Sequence, residues 1–153
     1  MAAPRLFHLL HLSHRAVFRA ADRMIAMRFG VTAAQHGALM YVRENEGASM
    51  GALARALGLK GAATSGLVDR MEQKGLMERR RAISDGRSFE LFLKPQGRHI
   101  VETSQSLIKE SNAKLLEGFT AADQALIADF LETLAKRADA FRPTESKQDI
   151  HHD

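Results

Sequence analysis

A chain of 153 residues is long enough for one domain with a real core, or for one small module with helical extensions, and it excludes two enzyme-sized domains. It contains no cysteine, which excludes disulfides, thiolate metal sites and peroxide sensing through a thiol and suits a reducing cytosol. The formal net charge of +4 is unevenly spread: residues 55–98 carry ten Lys/Arg against five Asp/Glu, a net of +5, whereas residues 99–153 carry six against ten, a net of −4. A basic middle beside an acidic C-terminal part points to a polyanionic partner, nucleic acid first.

The opening stretch, "MAAPRLFHLLHLSHR", is broken by arginines and histidines and reads neither as a signal peptide nor as a membrane span, so a soluble, cytoplasmic protein is expected, with no membrane partner. Leu6, Leu10, Val17, Ala21 and Met24 fall on one helical stripe and Phe7, His11, Phe18 and Ile25 on its neighbour. That spacing predicts a first helix over about residues 5–28, roughly 35 Å long and buried on more than one side. A helix so long and apolar requires a partner. Gly30 stops it, and "TAAQ" at 32–35 supplies a capping box for a second helix with Leu39, Met40 and Val42 inward, ending near "ENEG".

Ser49 caps a short third helix, "MGALARALG", closed by Gly58. A fourth, "AATSGLVDRMEQKG", follows after a few residues, with Leu67, Val68 and Met71 inward and Gly75 as its stop. Two short helices around a Gly-containing turn form a helix-turn-helix candidate. "LMERRRAI" and "SFELFLK" then alternate with period two, Leu91 and Leu93 sharing a face, which predicts a β-hairpin with Ser84, Asp85, Gly86 and Arg87 at its tip. Pro95 starts a helix running to about Leu116, and Thr120 with Asp123 opens a last helix striped by Leu126, Ile127, Phe130, Leu131, Leu134 and Phe141. Beyond Pro143 the tail is polar and is expected to be disordered.

The pieces "VTAAQHGAL", "LARALGL", "LVDRMEQKGLMERR", "SDGRS" and the pattern L-K-P-Q-G-R at 93–98 stand in the order and spacing of the MarR family of bacterial transcriptional regulators, which residues 31–98 resemble. The resemblance implies a mainly α fold: a winged helix-turn-helix with a small β-hairpin wing, flanked by N- and C-terminal dimerisation helices. It implies residues 1–30 as a dimerisation helix, 31–98 as the DNA-binding domain, 99–142 as dimerisation helices and 143–153 as a tail. It further implies a homodimer on a pseudo-palindromic operator in double-stranded DNA, acting as a repressor and released by a small aromatic or lipophilic effector. No cofactor is implied.

For DNA the resemblance singles out the wing pair Asp85 and Arg87, with Asp85 holding the arginine side chain ready for a narrow minor groove. On the fourth helix Ala62, Ala63, Thr64, Ser65 and Arg70 are candidates, joined by Lys60 at its start. Gly66 stands where the family commonly has arginine, so direct base readout should be thin, although Ala can touch a thymine methyl. Tight packing of this helix on the third is the competing explanation of "GAATSG". Of Arg79, Arg80 and Arg81, strand alternation lets at most two reach phosphates, the other pairing with Glu78, Glu90 or Asp85. For a ligand, His11, Arg15, Phe18, His36 and Met40 combine cation, aromatic and soft apolar surface, with plain core as the alternative.

His8, His11 and His14 fan over about 120° of the first helix, and with His36 and His99 they raise a zinc-responsive regulator as an alternative; no metal site is assigned. No phosphate loop, nucleophile elbow or helical zinc-protease spacing occurs, so an enzyme is not expected. A winged-helix protein-interaction module is the remaining alternative, and the charged wing argues against it.

Overall fold

The computed structural model describes residues 5–138; Phe141, Pro143 and the tail lie outside them, as does the end of the segment 99–142. In chain order the elements are α1 (Leu6–Phe29), α2 (Ala33–Glu44), β1 (Ala48–Ser49), α3 (Met50–Leu57), α4 (Gly61–Gln73), β2 (Met77–Arg81), β3 (Phe89–Leu93), α5 (Pro95–Leu115) and α6 (Ala121–Arg137). The fold is mainly helical with one small antiparallel sheet, as in a winged helix. The chain divides into two compact units, residues 1–107 and 108–153.

In the first unit each local signal has a physical counterpart. Thr32 and Gln35 form a reciprocal capping box: the Gln35 N–H donates to Thr32 Oγ1, and the Thr32 N–H to Gln35 Oε1, both at 3.1 Å. Ser49 Oγ accepts from the Ala52 N–H at the start of α3. Gly58 ends that helix at φ 63°, a left-handed conformation that costs a glycine little. The inward faces of α2, α3 and α4 converge: Leu39, Val42, Leu53, Val68 and Met71 are fully buried, joined by Met77 and Leu91 of the wing strands.

The sheet has a third strand that periodicity could not reveal. β1 is two residues long, Ala48 pairing with Leu91 and Ser49 with Glu90, and the strand order is β1-β3-β2. β2 and β3 pair antiparallel with Arg79 opposite Leu91 and Arg80 opposite Glu90. At the start of α5 the helix touches the backbone of the turn between α4 and β2, because a Cβ on Gly97 would lie 2.1 Å from the Leu76 carbonyl oxygen. Glycine is therefore a steric requirement there.

α1 has the expected extent, and within its own chain only Ile25 is buried, with Met24 and Phe29 packed against the core. Phe7, Leu9, Leu12, Phe18 and Met27 are exposed, and the apolar pattern that suggested burial has no counterpart within the unit. The second unit contains α6, whose N-terminus is closed by a Thr120–Asp123 capping box and whose Leu126, Phe130 and Leu131 are exposed.

Candidate nucleic-acid interface

The wing tip is built around one carboxylate. Asp85 Oδ1 accepts from the backbone N–H of Arg87 (2.9 Å) and of Ser88 (3.0 Å), and the Ser88 hydroxyl donates to the same carboxylate at 2.9 Å. These bonds, the Ser88 N–H first, hold the Asp85 carboxyl below its ordinary pKa. Gly86 takes φ 62° and donates its N–H to the Ala82 carbonyl, while Arg81 Nη1 donates to the Gly86 carbonyl at 2.9 Å. Asp85 thus fixes the backbone of the tip and leaves the Arg87 guanidinium free, correcting the expected side-chain pairing. Among the described residues Arg87 makes no side-chain hydrogen bond or ion pair, and it is exposed.

The three consecutive arginines separate. Arg79 turns to α4, its guanidinium donating to Glu72 and Asp69, so its acid partners are not those expected from the wing. The Glu72 bond leads the effects that raise its already high pKa, so it is permanently cationic. Arg80 pairs with Glu78, as expected for one member of the run, and its guanidinium lies 4.3 Å from the centroid of the Phe92 ring. Arg81 is exposed, and among the described residues it meets the Gly86 carbonyl and, at 5.6 Å, the Phe89 ring. Nothing in the spacing foretold the Arg79 partners, because they come from a helix seven and ten residues earlier across a turn.

On α4, Ala62 and Ala63 are exposed, Ser65 is half-buried, and Lys60 and Arg70 are exposed. Thr64 is buried, with 1% of its surface accessible, and its hydroxyl donates to the Lys60 carbonyl at 3.1 Å. It is a core residue of the helix start and cannot offer that hydroxyl to a base. Packing against α3 does not explain the small residues: a Cβ on Gly61 would meet nothing within 4 Å, and one on Gly66 would meet only the Arg70 guanidinium, at 3.4 Å. Gly66 instead leaves room for Arg70 to lie back along the helix.

The ligand candidates do not form one site. A groove of about 580 Å³ runs between α1, α2 and the end of α3, lined by Arg15, Phe18, Arg19, Gly37, Leu57 and Leu59 among others. Arg15 and Phe18 therefore contribute as expected. His11 is exposed and does not line it, and Met40 lines a separate groove with Arg43 and Val101. His36 is buried, its Nε2 lying 2.7 Å from Ser104 Oγ on α5 and its ring stacked 6.4 Å from Phe29. Because Ser104 Oγ donates to the Val101 carbonyl, the proton of the pair is assigned to Nε2 of a neutral imidazole. Burial lowers the His36 pKa. Among the described residues no three His, Asp or Glu side chains gather as a metal would require, so His8, His11 and His14 are not brought together.

The model of the MarR family matches residues 29–88, spanning α2 through the wing tip. Over those residues this chain is similar to the MarR family. A putative transcriptional regulatory protein for the hcr operon of Thauera aromatica is 26% identical over 137 residues, covering 90% of this chain and 82% of that protein. An HTH-type transcriptional repressor of Mycobacterium tuberculosis is 25% identical over 119 residues, covering 78% and 86%. Among solved structures, the Staphylococcus aureus MepR–DNA complex superposes with a TM-score of 0.79 at 21% identity, covering 89% of this chain and 99% of that one, a likeness of fold. No described helix of this chain is long and apolar enough to cross a membrane.

Proposed function

We propose that the chain is a homodimeric, cytoplasmic repressor that binds an inverted-repeat operator, with α4 in the major groove and the wing in the adjacent minor groove. The observation that carries this is the free Arg87 guanidinium on a tip whose backbone Asp85 has already fixed. An extended guanidinium suits the negative potential of a narrow minor groove, and a preset loop loses little entropy on binding. Ala62 and Ala63 would lie against base edges, Ser65 and Arg70 would supply polar contacts, and Lys60 and Arg81 would meet phosphates. Arg80 would add sequence-independent attraction. With few strong base-edge donors on α4, much of the sequence preference would come from groove width and duplex deformability.

Residues 1–30 and 99–142 would form the dimerisation helices, and residues 31–98 the DNA-binding domain. The exposed apolar residues of α1 favour self-association. Repression is supported by the function named for the mycobacterial relative. A small aromatic or lipophilic anion seated between Arg15, Arg19, Phe18 and Leu57 would release DNA if it prefers a dimer with mis-spaced recognition helices.

Fluorescence anisotropy with a duplex enriched by the protein tests the wing directly. Arg87→Ala is expected to cost about 1–3 kcal/mol of specific binding. Affinity equal to that of the parent chain would remove Arg87, and with it the observation on which the reading stands.

A further inference from the structure

Arg79 is exposed over only 26% of its side chain and turns away from the wing surface toward α4. Its Nε and Nη2 donate to Glu72 Oε2 at 3.0 and 2.7 Å, Nη2 also meets Asp69 Oδ1, and its backbone N–H donates to Glu72 Oε1 at 2.7 Å. One carboxylate therefore holds both the main chain and the side chain of Arg79, the central residue of β2. The Arg79 guanidinium carbon also lies 6.0 Å from the centroid of the Phe89 ring, at the start of β3.

We infer that Arg79, clasped by Asp69 and Glu72, is a positioning residue that fixes the helix α4 to the wing and so presets the separation of the two elements that meet DNA. The inference rests on the DNA-binding reading and extends it to residues that touch no DNA. One cation with two carboxylates leaves the cluster net negative beside a helix proposed to face phosphates. In simple charge terms that is unfavourable, and the geometry offers the compensation. Major and minor grooves lie at a set spacing on a duplex, so two elements held in register lose less freedom on binding than two that sway. The planar fork of arginine can bond both carboxylates at once, which a lysine cannot.

The charge account and the clasp account differ in sign. Glu72→Gln removes a negative charge near the duplex, so charge alone makes DNA binding tighter. The clasp makes specific binding weaker, because an amide nitrogen then faces arginine donors. Arg79→Lys keeps the charge, so a phosphate contact would be largely preserved and a clasp would not. Anisotropy titrations with the enriched duplex and with a random duplex, beside thermal melts of each variant, decide between them.

Glu72→Gln and Arg79→Lys are each expected to weaken specific binding on the order of tenfold, as for coupled neighbours. Binding of random DNA should not fall, and the salt slope of Arg79→Lys should match the parent's. Asp69→Asn perturbs one half-exposed group, so folding is retained, and it should weaken specific binding by a smaller factor. Specific binding that tightens in Glu72→Gln or Asp69→Asn, or that is unchanged in Arg79→Lys, overturns the inference while leaving the DNA-binding reading intact. A parent chain that favours no duplex overturns both.

Discussion

Asp85 and His36 show how differently two titratable side chains can act at the residue scale. Asp85 is exposed, and the bonds it accepts from its own loop hold its carboxyl below its ordinary pKa, so the tip keeps these bonds to a lower pH than an unbonded carboxylate would. His36 is buried neutral against Ser104. Below its ordinary pKa of about 6.5 the unfolded chain binds a proton that the folded chain refuses, so stability falls as pH drops from that value toward the depressed one. Above about 6.5 this contribution is constant. Urea midpoints at pH 7.5 and 5.5 should therefore differ more for the parent than for His36→Gln, whose amide can still donate to Ser104; an equal pH response in both would show that His36 does not control it. Residue roles were partly legible in the sequence. Asp85 and Arg87 were found as a pair, but their contact runs through the backbone. The burial of Thr64 was missed because a hydroxyl near a helix start satisfies its own Lys60 carbonyl as readily as it serves a ligand.

At the scale of elements, the capping signals at Thr32, Ser49 and Thr120 placed the helix starts, because a cap is a local interaction written in a few neighbouring residues. β1 was invisible for the opposite reason: two residues carry no period, and their pairing with Leu91 and Glu90 is a long-range choice. The apolar stripe of α1 records that a face is to be covered without saying by what, and within its own chain only Ile25 of that helix is buried. One contact between elements gives a sharp expectation. Gly97→Ala would drive a methyl into the Leu76 carbonyl and toward Leu39, so α5 or the turn before β2 must shift. We expect a loss of about 1–3 kcal/mol of stability in urea unfolding, as for other overpacked sites. An unchanged midpoint would mean that α5 starts further from that turn than it does here.

At the scale of the whole molecule, the charge segregation along the chain was the earliest sign of function, and it needed no structure. The middle segment that carries the net of +5 contains α4 and the wing, and the acidic segment contains most of α5 and all of α6. Assembly is where a single chain gives least, although the exposed Phe130 and Leu131 of α6 and Leu9 of α1 leave apolar surface to cover. Sedimentation equilibrium is expected to give twice the chain mass of 16.9 kDa, and Phe130→Asp to lower it toward that of one chain. A parent that sediments as a single chain would leave the inverted-repeat operator without its two-fold partner.

The most direct measurement of the central claim is selection from a pool of random duplexes by the purified protein at moderate salt, followed by sequencing of what is retained. The account predicts an enriched inverted repeat with half-sites about one helical turn apart. Retention without any enriched sequence, or no retention at all, would contradict a sequence-specific dimeric regulator.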